Sequence, residues 1–294
     1  MKNDKLLFRH VTEYSLPDFD PNALVYHYTS PLGLKSILEH RELWASDYAF
    51  LNDKSENHYL YEVLQAVLVQ KRLRNKLKPL FLQKVEALIS QKTQIATRPY
   101  YRYICSLSSQ PDCLELWNYY TKTASGAGYN IGFSCHALAQ AISRSDTAEA
   151  KCASVLYDFE KQRHALEIAL IGYNEDFAAA TLDEERETVF TEFTESLETL
   201  SAFLKHPGFA GENEVRICIT HKASPSLPRK ANYRESNGIF VPFVPIHFPV
   251  DAVKSVGLSP IRQETLSSNG IASMLLDLGY SNVSVEPSKI PLRN

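Results

Sequence analysis

The residues best suited to chemistry lie at two distant places in the chain. The first is Tyr26-His27-Tyr28-Thr29-Ser30, which gathers several hydrogen-bonding side chains at one edge. An imidazole there can donate to a ribose hydroxyl or act as a general acid or base. The second is Glu212-Asn213-Glu214, just before or within a strand. Residues two apart on a strand share a face, so both carboxylates would point the same way. Like charges side by side are unfavourable unless a cation, a hydroxyl or a substrate separates them. Arg216 comes next on that face and would neutralise one of them. A locally packed histidine and a solvent-facing Glu–Arg pair are the plainer readings of the same residues. Trp117, Tyr119 and Tyr120 form an aromatic cluster whose faces suit a flat heterocycle, or belong to a core. Ser106, Ser108 and Ser109 follow a strand and either hold a ligand or make a turn. Asn52-Asp53 with Glu56 reads as a turn and helix cap rather than a metal site.

These residues need a scaffold, and the spacing supplies one. Residues 24–28 read as a strand, being apolar, β-branched and aromatic. Ser30-Pro31 is a good helix start, and the helix runs to near His40. Further strands are expected at 43–45, 101–107, 129–133, 155–157, 214–219, 239–241, 244–246 and 283–285. Helices are expected at 114–117 and 261–278, with turns at 51–53 and 125–128. Short strands near both ends, with helices between them, imply an α+β fold of one domain over 1–294. Residues 1–22 form an extended lead-in, and 56–96 and 159–205 are helical insertions packed beside the sheet. The basic run Lys71, Arg72, Arg74, Lys76 and Lys78 is a solvated helix face, or else a polyanion contact.

Composition narrows the classes. The chain has 294 residues, 44% hydrophobic and 22% charged, which is ordinary for a globular protein. A net charge of −3 gives no global attraction to nucleic acid or an anionic membrane. No leader and no membrane-spanning run is expected, and a cytoplasmic location follows. Five cysteines at wide spacings, without a Cys-x-x-Cys, fit reduced thiols and no metal site. Dinucleotide-binding glycine motifs, Walker loops, His-Glu-x-x-His and Gly-x-Ser-x-Gly are absent.

An ordered set of short motifs resembles the bacterial family called domain of unknown function 2971. The set opens with Tyr26-His27-Tyr28-Thr29-Ser30, Gly33-Leu34-x-x-Ile37-Leu38, Leu43-Trp44 and Leu51-Asn52-Asp53-x-x-Glu56. It continues with Cys105-Ser106-Leu107-Ser108, Leu116-Trp117-x-x-Tyr120 and Gly128-Tyr129-Asn130-Ile131-Gly132-Phe133. Lys205-His206, Glu212-x-Glu214-x-Arg216 and Ser288-x-Ile290-Pro291-x-Arg293 complete it. The histidine strand followed by Gly-Leu-x-x-Ile-Leu is also similar to the opening of ADP-ribosyltransferase folds, including DarT-like DNA-modifying toxins. That likeness implies a mixed or antiparallel central sheet and NAD as substrate. It implies that Glu214 stabilises an oxocarbenium-like ribose, Glu212 prepares the acceptor, and His27 holds the adenosine-side ribose. Tyr28 or Tyr120 would stack on nicotinamide, Arg216 would hold Glu214 or the pyrophosphate, and Thr29 and Ser106 would complete the NAD site. The acceptor would be nucleic acid or protein, in a toxin or phage-defence setting with an inhibitory partner protein. This chain combines the histidine of one transferase class with the Glu-x-Glu of another. Two other readings stay open: a non-catalytic nucleotide- or nucleic-acid-binding module, and a hydrolase or nuclease using His27 and the carboxylates.

Overall fold

A computed structural model describes residues 23–51, 56–91, 100–120, 126–143, 149–222, 231–236, 238–260 and 264–291. The chain divides into two compact units. One comprises Phe19–Phe50, Tyr100–Cys152 and Gly211–Asn294, and the other Met1–Asp18, Leu51–Pro99 and Ala153–Ala210. The fold is α+β with a mixed, open sheet.

The first unit holds the sheet. Its strands are β1 (Leu24–Thr29), β2 (Glu42–Asp47), β3 (Tyr100–Ser108), β4 (Tyr129–Ser134), β5 (Glu149–Ser154) and β6 (Glu214–Lys222). They are followed by β7 (Asn232–Ser236), β8 (Ile239–His247), β9 (Val253–Leu258) and β10 (Ser284–Pro287). The main order is β10-β9-β4-β1-β3-β2-β8-β7, with β6 on β3 and β5 on β6. The β9–β10 pair is parallel, whereas neighbours along the path from β9 to β7, and β3 with β6, pair antiparallel. One face of the sheet carries a core of Val25, Leu43, Cys105, Leu107, Ile131, Phe133 and Ile217. Helix α1 (Pro31–His40) buries Leu34 and Leu38 in that core. The Ser30 hydroxyl caps it by accepting from the Gly33 N–H at 3.1 Å, Pro31 occupies its first turn, and Arg41 ends it in the left-handed region at φ 56. Gly33 is needed there because a Cβ would stand 2.1 Å from the Thr29 hydroxyl. Two more helices of the unit, α6 (Cys135–Ser143) and α9 (Glu264–Asp277), add Leu138, Ile271 and Leu275 to the core. The short α5 (Leu114–Tyr120) carries Leu116 and Trp117 into a smaller cluster with Tyr28.

The second unit is helical. It contains α2 (Glu56–Leu68), α3 (Lys71–Arg74), α4 (Pro79–Ser90), α7 (Phe159–Ala179) and α8 (Asp183–Ser201). Leu60, Val63, Leu64, Phe81, Val85, Leu166, Leu170 and Phe193 form its own core. Asp158 caps α7, accepting from the Lys161 N–H at 2.8 Å, and the Glu185 carboxylate accepts from the Leu182 N–H at 3.1 Å to start α8. The stretches expected as helical insertions, 56–96 and 159–205, supply this unit, although 92–96 lie outside the described residues.

Several expectations need correction. Residues 155–157 are not a strand: Leu156 makes only an isolated bridge to Leu204, and the strand ends before it, at Ser154. The two short strands at 239–241 and 244–246 are one continuous β8, with Pro242 opposite Tyr233 and Pro245 opposite Trp44. Strands β5, β7 and β9 and helix α6 have no counterpart among the expected elements. The lead-in 1–22 and the turn residues Asn52-Asp53 lie outside the described residues.

Candidate functional site

Strand β3 organises the site. Along one edge it pairs with β6 from end to end, including Ser106 opposite Arg216 and Ser108 opposite Glu214. Along its other edge it meets β1 at Tyr26↔Ser108 and β2 at Ile104 and Tyr103. Between those contacts the Ser106 carbonyl has the His27 ring beside it, with Nδ1 donating at 3.1 Å. The bond fixes the tautomer, because a carbonyl only accepts; a neutral ring then keeps its lone pair on Nε2. Burial and the nearby Arg234 charge hold the imidazole pKa below its ordinary value, while the Ser106 bond acts against them. His27 is therefore neutral at pH 7.

Directly opposed residues share a face, so Tyr26, Ser106, Ser108, Glu214 and Arg216 belong to one side of the sheet. His27 has the strand parity of Val25, opposite Ile131, and its ring meets Ser106 in the gap between β1 and β3. Glu214 and Arg216 are both buried, with 5% and 1% of their surface exposed. Their contact is bidentate: Nε donates to Oε1 at 2.8 Å and Nη2 to Oε2 at 3.0 Å. The carboxylate is thereby fixed in orientation.

Glu212 does not share this strand. It ends a 3-10 segment, Pro207–Glu212, and Asn213 turns the chain with φ 44 before β6 begins. Strand alternation thus does not run through the Glu-x-Glu pair, and the expectation that both carboxylates project together is revised. The Glu212 carbonyl accepts from the Ser108 hydroxyl at 2.7 Å, and the Asn213 carbonyl from the Ser109 N–H at 2.9 Å. Ser108 Oγ also accepts from the Gln110 N–H at 3.1 Å, so this serine clamps the entry to β6.

The aromatic residues are more structural than the sequence implied. Tyr28 is buried and meets Trp117 edge-on at 4.5 Å. Its hydroxyl donates to the Gln110 carbonyl at 2.8 Å and accepts from the Cys113 N–H at 3.1 Å. Burial pushes its phenol pKa far up, so it stays protonated. Thr29 is buried under Gly33. Tyr119 is exposed, and Tyr120 lies on the last turn of α5. Trp117 is buried and donates from Nε1 to Asp112 at 2.7 Å.

Sequence reasoning missed Asp112, since a lone aspartate after a proline reads as a turn residue. Its Oδ1 also accepts from the Ser288 hydroxyl at 2.7 Å, and its Oδ2 from the Lys289 N–H at 2.8 Å. Residues 288–290 thereby lie against the Tyr28–Trp117 cluster, which Ile290 joins. Asn130 was missed as well. Opposite Tyr28 and buried, it donates to the Pro111 carbonyl at 2.6 Å and accepts from the Gly257 N–H at 3.1 Å. A Cβ on residue 257 would fall 2.4 Å from its side-chain oxygen, which explains the glycine.

Among the described residues no group of three or more His, Cys, Asp or Glu side chains could hold a metal ion. No described helix is long and apolar enough to cross a membrane. What the arrangement offers chemically is a fixed, buried carboxylate, hydroxyls across the ladder from it and a neutral imidazole at the gap in β3 pairing.

No curated protein and no solved structure matches the chain. Residues 116–217, which include β4, β5 and the Glu214–Arg216 pair, match the model of a family described as "Protein of unknown function (DUF2971)".

Proposed function

We propose that the chain is an ADP-ribosyltransferase-like enzyme that cleaves the nicotinamide–ribose bond of NAD and transfers ADP-ribose to a nucleic acid or protein. The supporting observation is the register of β3 on β6, with Glu214 opposite Ser108 and Arg216 opposite Ser106, and the Ser106 carbonyl engaged by His27 Nδ1. Cleavage of that bond develops positive charge on the ribose, which a fixed carboxylate stabilises as in glycoside cleavage. Glu214 takes that role, held by Arg216. Glu212, at the end of the 3-10 segment that precedes β6, serves the acceptor. His27 presents Nε2 to a ribose hydroxyl as acceptor, since its Nδ1 is engaged by Ser106.

A second reading has its own support. Arg216 engages both Glu214 oxygens, as it would in a purely structural pair, and this favours a nucleotide-binding module without turnover. One assay separates them: nicotinamide release from NAD, with and without DNA, RNA and protein acceptors. The transferase reading expects release that depends on one acceptor and falls about 100-fold or more in Glu214→Gln, the scale of losing one charge-stabilising group. Wild-type release that survives Glu214→Gln in folded protein overturns the role of Glu214. Absence of release under every condition overturns the enzyme and leaves the module.

A further inference from the structure

Strands β2, β8 and β7 carry a cation whose position the Glu214 site does not use. Arg234 lies on β7 opposite Val241, and Ser46 lies on β2 opposite Phe243. The Arg234 Nη2 donates to the Ser46 hydroxyl at 3.0 Å. Its Nε is buried and has no hydrogen-bond partner among the described residues. No ion pair to Arg234 is formed among those residues either. The acids of these strands have other partners: Asp47 accepts from the Ala49 N–H at 2.8 Å. Glu235 accepts from the Gly238 N–H at 2.6 Å, while Glu42 accepts from Trp44 Nε1 at 2.9 Å and faces His247 at 3.7 Å.

A half-buried guanidinium is costly unless an anion compensates it. Arginine does not shed its proton to escape that cost. Its five N–H donors form a planar fork suited to two oxygens of one phosphate, and here one donor is taken by a hydroxyl. The Ser46 hydroxyl accepts from Nη2, so its own proton points away from the guanidinium and is a further donor to an oxyanion. Trp44 shares the Ser46 side of β2, stacks on Phe243 with centroids 4.3 Å apart, and keeps 39% of its surface exposed. A base stacked on Trp44 would therefore lie on the same side of the sheet as the Ser46 hydroxyl.

We propose that Arg234 and Ser46 form an anion subsite that takes the phosphates of a nucleotide, with Trp44 as the face for its base. This deepens the transferase reading by naming the group that anchors the substrate's pyrophosphate, and it rests on that reading only for the identity of the ligand.

Calorimetric titration with inorganic pyrophosphate and with ADP tests it, using the full chain and Arg234→Gln, Arg234→Lys, Ser46→Ala and Trp44→Ala. Wild type is expected to bind both ligands, and Arg234→Gln to weaken both at least tenfold with its unfolding midpoint retained. Arg234→Lys keeps the charge but not the fork and should fall between the two. ADP binding more tightly than pyrophosphate, with that advantage lost in Trp44→Ala, assigns the site to a nucleotide. Equal affinities keep the anion subsite and assign it to free phosphates. Pyrophosphate binding that is absent in wild type, or unchanged in folded Arg234→Gln, overturns the proposal. NAD cleavage without pyrophosphate binding would sink this subsite alone. Pyrophosphate binding without cleavage would sink the reaction alone.

Discussion

Glu214 and Arg216 form a buried pair in which each partner makes the other tolerable. Removing one side of such a pair takes the bidentate partner from a buried charge, which costs about 3–5 kcal/mol. Arg216→Met should therefore lower stability by that amount in urea unfolding, whereas Glu214→Met with Arg216→Met should recover most of it. A single variant as stable as wild type would show the pair to be far more hydrated than its burial indicates. Glu214→Gln is gentler, since the amide keeps an oxygen for Arg216 to donate to, which suits it to the activity test. The two-residue step from Glu214 to Arg216 was legible in the sequence, because strand alternation puts them on one face. The break at Asn213 was hidden, and its positive φ removes Glu212 from that alternation. Tyr28 was visible as a polar-tipped aromatic. Its commitment to Gln110 and Cys113 was not, because those partners arrive from a loop more than eighty positions later.

At the scale of elements, local signals are legible and dispersed ones are not. Helix α1 is readable because Ser30, Pro31 and the apolar spacing all act within one turn of each other. Strand β7 is not, because it is an edge strand with mostly exposed residues and no apolar face to betray it. Strand β9 is obscured for the opposite reason: Val253, Ser255, Val256, Gly257 and Leu258 are all buried, so no polar alternation remains. Val155-Leu156-Tyr157 has strand composition yet only one bridge, since composition does not supply a partner. The tie between α5 and the chain around residue 288 belongs to this scale. Asp112 accepts from Trp117, Ser288 and Lys289, joining a helix start to a segment 177 positions away. Asp112→Ala leaves the Trp117 indole N–H and the Ser288 hydroxyl without that acceptor, at a cost of about 1–3 kcal/mol. Amide exchange at Lys289 and Ile290 should quicken more than at the middle of β9. Unchanged exchange there would mean that packing of Ile290, rather than Asp112, holds the segment.

The whole sheet is assembled from three stretches of chain separated by the helical unit's sequence. Its central ladders join residues far apart: β3 with β6 across Ser106↔Arg216, and β2 with β8 across Ala45↔Val244. Loop-closure entropy opposes such pairings until their contacts are made, so they form late and hold the unit together once formed. Strand β3 is hydrogen-bonded on both edges, to β6 on one and to β1 and β2 on the other, and it contributes Tyr103, Cys105 and Leu107 to the core. Strand β4 is likewise flanked, by β1 and β9. Among the described residues, strand β7 has β8 on one side and no neighbour on the other, and β10 has only β9. Native-state hydrogen exchange should therefore rank the sheet by position. The slowest amides belong to β3, β4 and the paired length of β6, opening only with global unfolding, while β7 and β10 exchange through local fraying. The ranking bears on function, because the Glu214–Arg216 pair and the Ser106 carbonyl sit in the slow group and Arg234 in the fast one. A rigid carboxylate is what charge stabilisation requires, and a mobile edge strand is what ligand entry to a phosphate subsite requires. Adding pyrophosphate should then slow exchange in β7 and leave β3 and β6 unchanged. Equal protection of β7 and β3 in the free protein would contradict the topology on which both sites depend.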